Sequence, residues 1–285
     1  MFLQVLRLGF VLSEPLNARA VLPQNPIVWD SQGRYSAACK LASRAPVLNM
    51  DKWFHASKQS ADRHLANGFA VVVLLPLDFA DPPDVAPSSA EITRAARFHF
   101  EKDARAHLFA RLIARYFLGL TPPDVPFETG NNGKPFHRSA LPFSISHAGG
   151  YAAVAITPLG QIGMDIEARA DKWDPAKLVD TVCHENEKDW LASLPAGAPR
   201  TTGFLRVWTR KEALLKGTGE GLVNDLQGRD TQPQHLLPWL DKNSGLQIWS
   251  LKDLPLACAV ACDPKVAGIK VIRAVSAIPA NAPTG

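Results

Sequence analysis

The stretch Gly163-Met-Asp-Ile-Glu167 constrains the fold of this chain more than any other. Read as a strand with the residue before it, it alternates: Ile162, Met164 and Ile166 face one way, and Gly163, Asp165 and Glu167 the other. One face demands burial, and the opposite face carries two carboxylates one strand period apart. Like charges that close repel unless a cation lies between them, and a hard divalent ion with oxygen ligands is the usual answer. Asp165 and Glu167 are therefore candidate metal ligands. Taken alone, the stretch is also satisfied by a half-buried strand whose polar face is simply wet.

The surrounding chain describes a soluble globular protein, with 46% hydrophobic and 20% charged residues among 285, enough for one large domain or two ordinary ones. Its longest apolar run, Phe69 to Leu77, is broken by Pro76 and is far shorter than the ~20 residues of a membrane helix. No membrane span is expected. A net charge of +4 is too small to argue for nucleic acid and is compatible with an anionic ligand or an acidic partner. Cys39, Cys183, Cys258 and Cys262 form no Cys-x-x-Cys pair, so neither a zinc site nor a disulfide framework is indicated, and a reducing cytoplasm is the expected compartment.

In chain order, residues 1–65 read as a poorly ordered or irregular N-terminal extension. Phe69 to Leu75 is a buried strand by its β-branched content. Ser88 or Ser89 caps a long helix that ends near Gly119, with Ala104, Leu108, Leu112 and Tyr116 recurring along one face. Its other face carries Arg94, Arg97, Lys102, Arg105, Arg111 and Arg115, read by default as solvated. Phe143 to His147, Gly149-Gly150 and Tyr151 to Ile156 make a hairpin that leaves His147 beside the turn. Pro175 to Leu194 and Thr202 to Lys216 are expected to be helical, and the second puts Trp208, Glu212 and Lys216 on one face. Strands return at Leu246 to Leu251, Leu256 to Cys262 and Ile269 to Ala274, and residues 279–285 form a frayed tail. Antiparallel strands with a few long helices make an α+β protein.

Four segments stand in a fixed order: Gly133-Lys134-Pro135, Phe143-Ser-Ile-Ser146-His147, Ile162-Gly-Met-Asp165-Ile-Glu167 and Trp208-Thr-Arg-Lys211-Glu212-Ala-Leu-Leu-Lys216. Together they resemble the phosphopantetheinyl transferases of the Sfp type, over roughly Phe69 to Ala274. The resemblance implies two similar α/β lobes forming a pseudo-dimer, here residues 66–160 and 161–278, with the active site in the cleft between them, and a monomer suffices. It implies coenzyme A as substrate, Mg2+ as cofactor, and an apo acyl or peptidyl carrier protein as acceptor, from lysine biosynthesis, fatty acid or secondary metabolism. By motif, Asp165, Glu167 and Glu212 would hold the metal. Lys134 would lie by the adenine and ribose, Ser146 and His147 would touch the phosphates, and Arg94, Arg97 and Arg105 would serve the 3′-phosphate end. Glu187 resembles a glutamate near the metal in some members. Ala148 stands where the family often has a third small hydroxyl residue.

The chemistry fits these residue types. Phosphoryl-group transfer asks a protein mainly for charge placement and alignment. Glu212, or a water it shares with the metal, would take the proton from the attacking serine, and Lys216 would answer charge on the leaving phosphate. Trp208 is expected to pack between the lobes. Two other readings use the same residues: a magnesium-dependent hydrolase of pyrophosphates or phosphodiesters, and a coenzyme A or carrier-binding module without turnover.

Overall fold

The computed structural model describes residues 50–274 apart from 121–125, 131, 169–175, 222–225 and 236, so the expectations for residues 1–49 and for the tail lie outside the described residues. In chain order, helix α1 (Met50–Ala66) leads to strand β1 (Ala70–Pro76), and helices α2 (Ser89–Ala95) and α3 (Glu101–Leu118) follow. Strands β2 (Glu128–Thr129), β3 (Pro135–Phe136), β4 (Phe143–Ala148), β5 (Tyr151–Ile156) and β6 (Ile162–Glu167) come next. Helices α4 (Ala176–Val182), α5 (Glu185–Ser193) and α6 (Ala198–Thr218) precede strands β7 (Trp239–Leu240), β8 (Gln247–Leu251), β9 (Ala257–Cys262) and β10 (Ile269–Arg273). The α+β class holds.

Two four-stranded sheets, ordered β10-β1-β5-β4 and β6-β9-β8-β7, pack face to face between outer helices. Alternation decides which residue goes to which layer. On β1, Ala70, Val72 and Leu74 join Ala153 and Ala155 against Ile162, Met164, Ile166, Cys258, Val260 and Cys262 of the second sheet. The intervening Val71, Val73 and Leu75 meet Phe54 of α1 and Phe109, Ile113 and Phe117 of α3. A strand greasy on both faces therefore reads as one unbroken apolar run. The second sheet turns Ala259, Ala261 and Ile248 outward to Ala213 and Leu214 of α6.

The structure departs from the sequence expectations in five places. Residues 50–66 are helical, inside the segment read as irregular, because Phe54, Ala61 and Leu65 recur at helical spacing and are buried on the first sheet. The expected long helix is two. Ser88 caps α2 in a reciprocal capping box with Glu91, and Phe98 then folds under α3 against Ala95, Ala104 and Leu108, which forces the chain out of helical geometry. The helix read across Pro175 to Leu194 is likewise split, at Cys183-His184, where His184 caps α5. Helix α6 begins earlier than Thr202, since Pro199 suits a first turn. Strand β10, assigned by sequence to the second unit, pairs in parallel with β1 in the first sheet. Without it β1, buried throughout, would be a bare edge.

Candidate active site

The β4–β5 hairpin sets up the site. Gly149 and Gly150 both take positive φ, as a two-residue turn of this twist requires, and a Cβ on Gly149 would lie 2.3 Å from that of Ala168 just beyond β6. That close approach lays the edge strand β4 along the edge strand β6. No backbone ladder joins them; serine hydroxyls do so instead. The N–H of Met164 donates to Ser144 Oγ (3.0 Å) and the N–H of Ile166 donates to Ser146 Oγ (3.4 Å). Both serines are buried, and the Ser-x-Ser spacing matches the strand period.

Asp165 sits at the middle of this seam, 3% exposed. Ser146 Oγ donates to its Oδ1 (2.9 Å), and Lys216 Nζ, reaching across from α6, lies 2.6 Å from the same oxygen. Lys216 also donates to Ser146 Oγ at 3.3 Å. Oδ2 of Asp165 is buried and accepts no hydrogen bond. Glu212 is buried one turn before Lys216 on α6, and Glu167 is half-buried at the end of β6. Among the described residues, no three His, Cys, Asp or Glu side chains stand together as a preformed metal cage, and Lys216 faces Asp165 where a cation was expected.

What brings α6 so near to β6 is Gly163. A Cβ there would lie 2.0 Å from the carbonyl oxygen of Ala213 and 2.1 Å from the nitrogen of Gly217, so only glycine lets the two backbones touch. Lys134 reaches the same crossing from the loop between β2 and β3. Its ammonium donates to the carbonyls of Ile162 (2.9 Å) and Gly217 (3.1 Å), and burial lowers its pKa to about 8.

Residues 86–159 match the model for the N-terminal part of the 4′-phosphopantetheinyl transferases, and residues 161–259 match that of the 4′-phosphopantetheinyl transferase superfamily. The chain belongs to this superfamily. It is 36% identical over 145 residues to the 4′-phosphopantetheinyl transferase HetI of Nostoc sp., covering 48% of this chain and 61% of that protein. It is 31% identical over 146 residues to the 4′-phosphopantetheinyl transferase gsp of Aneurinibacillus migulanus, covering 50% and 56%. The L-aminoadipate-semialdehyde dehydrogenase-phosphopantetheinyl transferase of Xenopus laevis is 32% identical over 154 residues, covering 48% and 51%. The chain thus spans half to three fifths of the length of these relatives.

Arg94 and Arg97 are exposed, on α2 and the turn after it. Together with Arg111 and with His147 at the end of β4, Arg94 makes the surroundings of buried His107 positive. His107 is lowered to a pKa of about 3, first by burial and then by these cations. Arg111 Nη1 donates to the Nδ1 of His107 (3.1 Å) and to its carbonyl (3.0 Å). Arg105 is turned elsewhere, since its guanidinium pairs with Asp81 and donates to the carbonyls of Leu77 and Phe79, bracing the loop after β1.

Arg115, expected on the solvated face, is fully buried and paired with Glu91 at 3.1 Å, joining α3 to α2. Glu187 is fully buried and all its lone-pair directions are engaged: the N–H (2.9 Å) and Oγ1 (2.7 Å) of Thr231 donate to Oε1, and the His184 N–H (2.9 Å) and Lys211 Nζ (2.9 Å) to Oε2. It is a structural hub with no room for a metal. Trp208 packs with Leu178, Val182, Leu191 and Phe204 inside the α4–α5–α6 cluster, so it does not lie between the sheets. Sequence reasoning missed Ser144 and Lys211. The Ser-x-Ser spacing on β4 was the available signal for the first; the second stands in the Trp208 to Lys216 motif, but nothing local assigns it a partner.

Proposed function

We propose that the protein transfers the 4′-phosphopantetheine arm of coenzyme A to a serine of an apo carrier protein. The serine oxygen forms a bond to the β-phosphorus, the bond from that phosphorus to the bridging oxygen breaks, and adenosine 3′,5′-bisphosphate leaves. The observation that carries this reading is the half-satisfied Asp165, buried on the seam between the sheets, with one oxygen holding Lys216 and Ser146 and the other bare. An unsolvated carboxylate oxygen is expensive to maintain and calls for a ligand cation.

The donor set fits magnesium, which takes oxygen from one or two carboxylates and completes its octahedron with water and substrate phosphates. Asp165 through Oδ2, with Glu167 and Glu212, would hold it, and when bound it would draw charge from the pyrophosphate. The chain's own groups do the rest. Glu212, buried and one helical turn from Lys216, takes the proton of the incoming serine. Lys216, which Asp165 holds at the mouth of the seam, delivers its charge to the departing phosphate. Arg94, Arg97 and His147 offer positive charge to the remaining phosphates.

The two sheet-and-helix units correspond to the lobes of a pseudo-dimer, and a monomer suffices for the site. The name of the Xenopus laevis relative points to a carrier of the L-aminoadipate-semialdehyde dehydrogenase kind. Free, buried Cys183, Cys258 and Cys262 suit a reducing cytoplasm, and no described helix is long and apolar enough to cross a membrane. The test is intact-mass measurement of an apo carrier domain mixed with the protein, coenzyme A and magnesium. A carrier heavier by one phosphopantetheine group supports transfer. Free phosphopantetheine with an unloaded carrier assigns a hydrolase, and unchanged reactants a binding module.

A further inference from the structure

Lys134 holds a place that its resemblance-based role at the nucleotide end does not explain. Its Nζ is engaged by two backbone carbonyls, one from each partner of the β6–α6 crossing: Ile162, the first residue of β6, and Gly217, in the last turn of α6. The last carbonyls of a helix lack intrahelical partners and form the negative end of its dipole, so a lysine there is electrostatically favoured. One residue from each acceptor lie the groups that matter. Gly163, after Ile162, is the contact point of the two backbones, and Lys216 precedes Gly217. From the same loop as Lys134, the Nδ2 of Asn132 donates to the carbonyl of Gly219 (2.8 Å), the left-handed cap of α6. Two hydrogen bonds thus fasten the C-terminal end of α6, and a third the start of β6, to a loop that belongs, by sequence, with the first sheet.

We propose that Lys134 is a positioning residue: by pinning the last turn of α6 to the start of β6, it sets the direction in which Lys216 leaves the helix and so keeps its ammonium on Asp165. Lys216 spans from α6 to the seam on a flexible four-carbon stem, and its side chain is 29% exposed. Asp165 and Ser146 hold its ammonium, and the placement of its backbone decides whether that stem reaches them. The claim deepens the transferase reading and rests on it only for its kinetic consequence.

The test is Lys134→Met, which keeps the length of the side chain and removes its donors. In the coenzyme-free protein, acetylation of Lys216 by acetic anhydride, followed by peptide mass spectrometry, should rise about threefold or more as the amine leaves its carboxylate. In the transfer assay, kcat should fall about tenfold or more while the coenzyme A KM stays within about twofold. Asn132→Ala loosens the same helix end more mildly and should move both readouts in the same direction; it decides the matter if the Met variant does not fold. Unchanged Lys216 labelling in the folded variant overturns the proposal, as does a raised coenzyme A KM with kcat preserved, which would return Lys134 to the nucleotide. A wild-type protein that transfers nothing defeats the transferase reading and leaves the labelling result to decide the role of Lys134.

Discussion

Helix α6 carries two lysine–carboxylate pairs, their lysines five residues apart in sequence, and they differ in kind. Lys211 pairs with Glu187 at 2.9 Å and Lys216 with Asp165 at 2.6 Å, so distance does not separate them. Completeness does. Both members of the first pair are sealed from solvent, Glu187 accepts four hydrogen bonds, and Lys211 also donates to the carbonyls of Leu226 and Arg229. The second pair has one partner in partial contact with solvent and one carboxylate oxygen with nothing on it. A saturated buried pair has no capacity left for a ligand and serves the fold. An unsaturated one has kept capacity in reserve, which marks it for chemistry.

The sharpest attack on this contrast is Lys211→Met. It strands the Glu187 carboxylate in the core, and breaking a buried pair from one side costs about 3–5 kcal/mol. Urea unfolding should show that loss, with the surviving folded protein still active; a stable but inactive variant would erase the distinction. Asp165→Ala should do the reverse. Turnover is expected to fall by about 10²–10³, in the range found when one electrostatic group is removed from a preorganised site. The urea midpoint should barely move, because Lys216 can return to water and pairs with an exposed member are worth only about 0–1 kcal/mol. A large loss of stability in Asp165→Ala would place both pairs in one class.

Lys216→Ala refines the second half of the comparison. Its charge acts mainly as the leaving phosphate develops, so kcat should drop by about 10–10² while the KM for coenzyme A changes little. Equal losses in both constants would make it a ground-state ligand. The smallest effect concerns a third lysine. Burial lowers the pKa of Lys134 from 10.5 to about 8, so between those values the unfolded chain holds a proton that the folded chain has released. The contribution of this group to stability therefore rises with pH across that window. Stability measured from pH 8 upward should lose that increment in Lys134→Met, and an unaltered slope would show that the amine is not desolvated.

How much of this was written in the sequence depends on the range of the interaction. The faces of β6 follow from a period of two, and Gly149-Gly150 announces its hairpin, because both are settled within a few residues. Asp165 and Lys216 could be nominated from their motifs, but their contact depends on Gly163 thinning the space between two backbones, which a one-dimensional pattern does not display. Glu187 was placed near the metal by resemblance alone; its four donors come from His184, Lys211 and Thr231, the farthest of them 44 residues away, which no local pattern shows. Arg105 and Arg115 lay on a face read as solvated, and only the loop after β1 and the helix α2 turn them inward.

The parallel pairing of β10 with β1 also governs how the molecule can be cut and how it is made. A fragment ending at residue 160 would expose the β1 edge, with unmet N–H and C=O groups along an apolar strand, and such an edge recruits other chains. On the ribosome the first sheet must wait for Ile269–Arg273, nearly two hundred residues after β1, before it is complete. Dissecting the protein into separately expressed halves is therefore expected to yield aggregates, whereas a version that carries Ile269–Arg273 tethered beside β1 should stay in solution.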